Sequence, residues 1–258
     1  MKDYNNFYEE VDRVKKYSAH TSISNHPFYN DLNSNIKKYD LTTKKGLEIG
    51  SGTGALQEII EDYTGIDVSK SIKKYYKKPY YVVNDGESYP FNNESFDFIF
   101  TNAVFEHIPN IDFALKETIR VLKKDGYLFF KPAWNCRTWA ANGYTVRPYS
   151  DFNLYGKLIK FSIPFRNSKV ARALYLFPGR VYYLLIYLIK KSFFTKKIKN
   201  KKLTPNYEHH WQSDGDAVNS IDPFSAILYF RANGLKILNY PTLFSAFFIK
   251  TGILIIKK

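Results

Sequence analysis

Residues 47–54 read LEIGSGTG, and the rest of the chain is organised around them. A short apolar run ends at Glu48-Ile49, three glycines follow at alternate positions (Gly50, Gly52 and Gly54), and ALQEIIED then reads as a helix over residues 55–62. Strand, glycine turn and helix start are the parts from which an open α/β sheet builds a nucleotide-binding crevice. Glycine suits such a turn because the backbone must bend tightly and let a ligand approach without a Cβ in the way.

The flanking sequence alternates as that loop demands. Strands are expected at 47–49, 63–68 (YTGIDV), 80–84 (YYVVN), 96–101 (FDFIFT) and 127–131 (YLFFK), with a basic helix at 70–77. A further helix is expected over 112–123, where Leu115, Ile119 and Leu122 fall at i, i+4 and i+7 before Asp125-Gly126. Short apolar strands alternating with helices indicate a parallel sheet covered on both faces. After Pro132 the rhythm breaks and resumes near Ser220, where Asp222-Pro223 forms an N-cap with proline at N1. The helix FSAILYFRANG and the strands LKILNYP and GILIIKK close the chain, and the last two strands can pair antiparallel at one edge.

The fold expected is therefore α/β: a Rossmann-like, seven-stranded sheet, parallel with an antiparallel edge strand and flanked by helices. Residues 1–44 form a helical lid, with helical pieces around 6–17 and 28–38. Residues 45–131 and 220–258 form the core. Residues 132–219 form a largely helical, basic, aromatic insertion between the fifth strand and the last helix.

The net charge of +14 lies wholly in one part of the chain, since residues 131–202 contain a single acid, Asp151. One cysteine, Cys136, excludes a disulfide framework and a cysteine-built zinc site. The first fourteen residues show no apolar secretory signal, and a cytoplasmic location is expected.

Acids and amides stand at the expected C-terminal ends of strands: Asp67, 17 positions after Gly50, then Asp85 and Asn102. The order Glu48-x-Gly50-x-Gly52-x-Gly54, Gly65-x-Asp67-x-Ser69, FDFI at 96–99 and Glu106-His107-Ile108 resembles the class I S-adenosylmethionine-dependent methyltransferases, in the type 11-like subgroup. That resemblance covers 45–131 by motif and 220–258 by topology. It implies S-adenosyl-L-methionine as cofactor, with Glu48, Gly50, Ser51, Gly52 and Gly54 around its methionine part. It places Asp67, Val68 and Ser69 at the ribose, Asp85, Gly86 and Glu87 at the adenine, and Asn102 at the fourth strand end.

Candidates for the chemistry are His107, as base or substrate contact, and Tyr207 and His210 in the cluster YEHHWQSDGDA. In that cluster, adjacent histidines with Glu208, Asp214 and Asp216 offer mixed N/O ligands for a divalent metal, but a plain loop is the commoner reading, and no metal is assigned. TNAV after the fourth strand is not the Asn/Asp-Pro-Pro-Tyr/Phe segment of DNA amino-methylating enzymes, and nucleic acid is disfavoured as a partner. Trp134, Trp139 and Trp211 are read as an apolar wall or as the insertion's own core.

Within the insertion, VYYLLIYLI at 181–189 is too short to cross a bilayer, and Pro178-Gly179-Arg180 interrupts it upstream. Followed by a lysine-rich tail to 202, it reads as a helix lying in an anionic membrane interface at the inner face of the plasma membrane, or as a buried helix with a solvated tail. HHWQSDGDAVNSIDP resembles a segment of methyltransferases linked to bacterial surface polysaccharides, which implies a sugar hydroxyl on a nucleotide- or lipid-linked precursor as acceptor. Two alternatives are a lipid, quinone-like or small-amine acceptor, and a non-enzymatic RNA-binding or scaffold protein on the same fold.

Overall fold

The computed structural model describes residues 4–9, 23–209 and 211–258. The strands are β1 Gly46–Ile49, β2 Tyr63–Asp67, β3 Tyr80–Val82, β4 Phe96–Asn102, β5 Leu122–Lys131, β6 Asn200–Lys202, β7 Asn219–Ile221, β8 Lys236–Ile237 and β9 Leu254–Lys257. Seven of them form one sheet in the order β3-β2-β1-β4-β5-β9-β8. The first five are parallel to one another, and β9 runs antiparallel between β5 and β8. This is the expected seven-stranded, mostly parallel sheet, with its two closing strands paired antiparallel at one side. The order reverses at β1, so the crevice beyond the carboxyl ends of β1 and β4 is where an open sheet takes its ligand.

Both faces of the sheet are covered, because alternate strand residues serve opposite cores. Ile99, Leu128, Phe130, Leu254 and Ile256 pack with the helix Ile111–Val121 and the helix Pro223–Ala232. Their neighbours Phe98, Phe100, Phe129 and Ile255 face the other way, onto Phe28, Leu32 and Ile36 of the segment leading into and through the helix Tyr29–Lys38. Asp222 caps the helix Pro223–Ala232 as expected, accepting from the Phe224 and Ser225 amides at 3.0 and 3.3 Å.

Several local expectations give way. Residues 55–62 form successive turns rather than a helix, with i→i+3 bonds such as Gln57 N to Gly54 O and Ile59 N to Leu56 O. Tertiary bonds hold this path: the Gln57 amide donates to Tyr75 O and accepts from Lys77 N and Lys78 N, while Leu56 and Ile60 are buried. The basic helix at 70–77 is a short 3-10 turn, Ser71–Tyr75. The strand expected from LKILNYP shrinks to β8, Lys236–Ile237; beyond it the Leu238 amide still donates to Ile255 O, but the Ile255 amide turns to the Asn239 side chain and the ladder ends. Of the helix around 6–17, Tyr4–Glu9 is helical and residues 10–17 lie outside the described residues.

The insertion holds two long helices, Leu154–Asn167 and Lys169–Ile189. The second runs through Pro178, where the sequence reading placed an interruption. Arg180, 4% exposed, anchors it there, donating from Nε and Nη2 to the Asp222 carboxylate and from Nη1 to Phe247 O. No helix of the described residues is long and apolar enough to cross a membrane. The insertion also contributes β6, which pairs antiparallel with β7. Trp134 joins the main core and donates to Gly252 O, Trp139 is buried near the Arg137 and Arg166 guanidinium groups, and Trp211 lies against that of Arg147.

Candidate functional site

A cavity of about 580 Å³ opens at the carboxyl ends of β1, β2 and β4, within the size range of sites that enclose small ligands. Its floor is the glycine loop. Gly50 and Gly52 hold φ of +68° and +51°, the left-handed region that favours glycine. They serve different ends. A Cβ on Gly50 would fall 2.2 Å from Val104 Cγ2, so this glycine lets the loop pack on the segment after β4. A Cβ on Gly52 would meet nothing within 4 Å, and Gly52 lines the cavity. Beneath the loop, the Tyr76 hydroxyl donates to Gly52 O at 2.8 Å and lies 2.6 Å from Ser51 Oγ. Gly54 sits over the Tyr76 ring and is not part of the cavity wall, unlike the other expected cofactor residues.

Asp67 ends β2 and ties that strand to the loop. Its Oδ2 accepts from Gly52 N at 2.9 Å and its Oδ1 from Ser69 N at 3.2 Å. Burial raises its pKa, and those amide donors work the other way. A carboxylate accepts about four hydrogen bonds, so beside the Gly52, Ser69 and Val68 amides Asp67 keeps room for a ligand hydroxyl in the cavity. Glu48 is buried and accepts from the Tyr63 hydroxyl. Burial is the main cause that lifts its pKa to about 8, and the Tyr63 bond opposes it.

The far wall comes from the segment after β3. Asp85 accepts from Asn110 N and Nδ2 at 2.9 and 3.1 Å, and Glu87 accepts from Asn84 N at 2.9 Å. Gly86 between them has φ +81°. Val68, Ser69, Glu87 and Asn102 all border the same space. Tyr4 and Tyr8 of the helix Tyr4–Glu9, with His26 and Pro27, close it from above. The Glu9 carboxylate accepts from Lys70 N and Ser71 N, docking that helix beside the ribose-binding side expected from the sequence.

At the other end stands a polar cluster that joins two distant stretches of chain. The Val218 and Asn219 amides donate to Glu106 O at 2.9 Å, and buried Asn219 Nδ2 donates to Phe105 O and Ile108 O. This clip lays the turn at 212–217 against the EHI segment. His107 Nδ1 lies 3.2 Å from Asp216 Oδ2, which also accepts from the Tyr8 hydroxyl at 2.7 Å. His107 Nε2 lies 3.7 Å from Glu106 Oε1. Burial pulls the His107 pKa down, but the Asp216 and Glu106 carboxylates outweigh it and hold it up to about 9. Burial acts upward on Asp216 as well; the His107 imidazole and the Tyr8 hydroxyl prevail and hold its carboxyl well below the usual range.

Of the three residues expected to act in catalysis, His107 borders the cavity. Tyr207 lies outside the cavity wall, with its ring centroid 4.9 Å from that of Phe7 and its hydroxyl pushed up by burial to about 12. His210 lies outside the described residues. The pairing of His107 with Asp216, the part played by Tyr8 and the support from Tyr76 leave no pattern in the sequence. The EHI motif and the acids of SDGDA were each visible, but nothing in the sequence says that residues 109 positions apart meet.

Residues 47–130 match the family model described as methyltransferase domain. That match spans 84 of the 258 residues, about a third of the chain. The chain is 38% identical over 84 residues to an uncharacterised protein of Methanocaldococcus jannaschii, covering 32% of this chain and 41% of that one. It is 26% identical over 152 residues to phthiotriol/phenolphthiotriol dimycocerosates methyltransferase 1 of Mycobacterium ulcerans, covering 52% and 55%. The chain thus spans about half the length of these curated relatives. A solved structure of a putative methyltransferase from Bacillus halodurans aligns over 80% of this chain and 69% of its own, with 15% identity and a TM-score of 0.44.

Proposed function

We propose that the protein is a methyltransferase that uses S-adenosyl-L-methionine and modifies an acceptor hydroxyl, that of a sugar on a nucleotide- or lipid-linked precursor of a surface polysaccharide. The observation that carries the cofactor reading is the glycine loop tied to Asp67 on the floor of a cavity at the reversal point of the sheet. The residues present fit the cofactor: open space over Gly52, acceptor capacity on Asp67, and a far wall of Asp85, Gly86 and Glu87 where an adenine would lie. When bound, S-adenosylmethionine would supply an electrophilic methyl group on a sulfonium, whose carbon–sulfur bond breaks to leave S-adenosylhomocysteine, and the acceptor's hydroxyl proton would pass to bulk solvent once the new carbon–oxygen bond has formed. The chain's own work is alignment and exclusion of water. Tyr4, Tyr8 and His26 cover the cavity, while Asn102, His107 and Asp214 border its end near β4.

The basic insertion supports an acceptor carried at an anionic membrane surface. On the helix Leu154–Asn167, Leu154, Leu158, Phe161 and Phe165 recur at i, i+4, i+7 and i+11 and are all exposed. On the helix Lys169–Ile189, Val170, Leu174, Val181, Leu185 and Leu188 make a second exposed stripe, about 100° around the helix from the buried Arg180. Apolar stripes flanked by lysine and arginine match the composition of helices that lie in an anionic interface. A lipid acceptor is the second reading, favoured by these stripes. The Mycobacterium ulcerans relative is itself named for a dimycocerosate.

The test is a screen of nucleotide-sugar, lipid-linked sugar and lipid acceptors with methyl-labelled cofactor, run beside flotation on phosphatidylglycerol vesicles. Label transfer to a sugar-bearing acceptor is expected, and transfer only to sugar-free lipids would replace the first reading with the second. Flotation should be lost in Phe161→Glu/Leu188→Glu; equal flotation of the variant would remove the membrane from the account. Deleting 181–202 is no substitute, because Phe194 and Ile198 belong to the core.

A further inference from the structure

We propose that Glu106, His107 and Asp214 form a divalent-cation site at the acceptor end of the cavity, with Asp216 and Tyr8 as its outer support. Each of the three offers one ligand atom, and these atoms lie within 4.8 Å of one another. They must draw somewhat closer for bonds of about 2.0–2.2 Å, and Asp214 sits on a turn at φ +60°, only partly buried.

Two observations besides proximity point to an ion. The first is the orientation of the histidine. Its Nδ1 lies 3.2 Å from Asp216 Oδ2, within ion-pair distance but outside hydrogen-bond geometry, and Asp216 is steadied by the Tyr8 hydroxyl at 2.7 Å. Nε2 is on the other side, 3.7 Å from Glu106 Oε1, so a small ring rotation would put Nδ1–H on Asp216 and Nε2 towards an ion, the arrangement in which a carboxylate fixes the tautomer of a metal-bound imidazole. The second is Glu106. Its side chain is fully buried; Oε1 accepts from Ala133 N at 2.9 Å, and Oε2 has no hydrogen-bond partner among the described residues. A buried carboxylate oxygen without a partner is costly, and a cation taking Oε2 as a ligand would supply the missing contact.

The donor set of one imidazole and two carboxylates suits Mn²⁺, Fe²⁺, Co²⁺ or Zn²⁺ better than a soft or purely oxygen-seeking ion. Because His107 and Asp214 border the cavity, coordination positions remain open towards an acceptor. An ion there polarises an acceptor oxygen and eases loss of its proton. That role rests on the methyl-transfer reading; the site itself does not.

The test is titration of the metal-free full chain with Mn²⁺, followed by paramagnetic resonance, and with Co²⁺, followed by visible absorption. The expected result is one ion per chain, at least tenfold weaker in Asp214→Asn and in Glu106→Gln. Asp214→Asn should keep the wild-type melting temperature, so its loss of affinity cannot come from unfolding. A folded wild-type protein that takes up neither ion, or binding unchanged in Asp214→Asn, overturns the site. Calorimetry with S-adenosylhomocysteine on the same sample separates the two ideas: cofactor binding without an ion removes only the site, and an ion without cofactor binding removes only the methyl-transfer reading.

Discussion

Replacing Gly52 and Gly50 by alanine in turn separates the part of the loop that holds a ligand from the part that holds the fold. At Gly52 the added methyl meets no protein atom within 4 Å. The cost to the fold is then that of an L-residue at φ +51°, about 1–2 kcal/mol, or roughly a 2–6 °C fall in melting temperature for a domain of this size. The methyl projects from a residue that lines the cavity, so binding of S-adenosylhomocysteine should fall by well over tenfold. At Gly50 the methyl would come within 2.2 and 2.5 Å of the two Val104 methyl carbons and 2.9 Å of its Cβ. Overpacking of about 1–3 kcal/mol then adds to the φ strain, for a total on the order of 2–5 kcal/mol. Val104→Ala in the Gly50→Ala background removes the two closest contacts and should restore part of the stability. Thermal denaturation and calorimetry read the two effects separately. Wild-type affinity in a folded Gly52→Ala, or wild-type stability in Gly50→Ala, would refute the division.

Other substitutions test the electrostatics. Glu48 has its pKa lifted to about 8, chiefly by burial, so the protonated form is the one the fold favours. Its contribution is complete below the ordinary carboxylate range and is lost as pH rises through about 8, on the order of 3–5 kcal/mol in all. Glu48→Gln should therefore show a flatter decline in urea stability from pH 5 to 9 than wild type, and parallel curves would show that Glu48 is not the source. Arg180→Ala removes a guanidinium that makes bonds to Asp222 and Phe247 O while only 4% exposed. A loss of about 3–5 kcal/mol is expected in chemical denaturation; a loss under 1 kcal/mol would mean that the insertion is not anchored there.

The sheet was legible in the sequence because its strands are short apolar runs and its loops carry the acids and glycines that parallel topology needs. LEIGSGTG, GIDVS and FDFIFT each sit on or directly after a strand in the structure, and all border or support the cavity. What misled was local propensity. ALQEIIED has good helix formers, yet the Gln57 amide binds three backbone groups of residues 75–78 and holds that stretch in turns. Pro178-Gly179 looked like an interruption, yet the helix passes through, held by Arg180 on Asp222 and by the Phe177 ring stacked on Phe247. The acceptor end was illegible for a different reason. His107, Asp214 and Asp216 meet only because Asn219 and Val218 bond back to the 105–108 segment. Such long-range closure leaves no periodic trace in the chain.

The central claim, that the loop and Asp67 form a cofactor pocket, is tested most directly by calorimetric titration of the folded full chain with S-adenosylhomocysteine. One binding event per chain is expected, weakened at least tenfold in Asp67→Ala, since the ribose would lose a carboxyl acceptor and the loop its tie to β2. A folded wild-type protein that gives no binding heat and no thermal stabilisation with this ligand would contradict it.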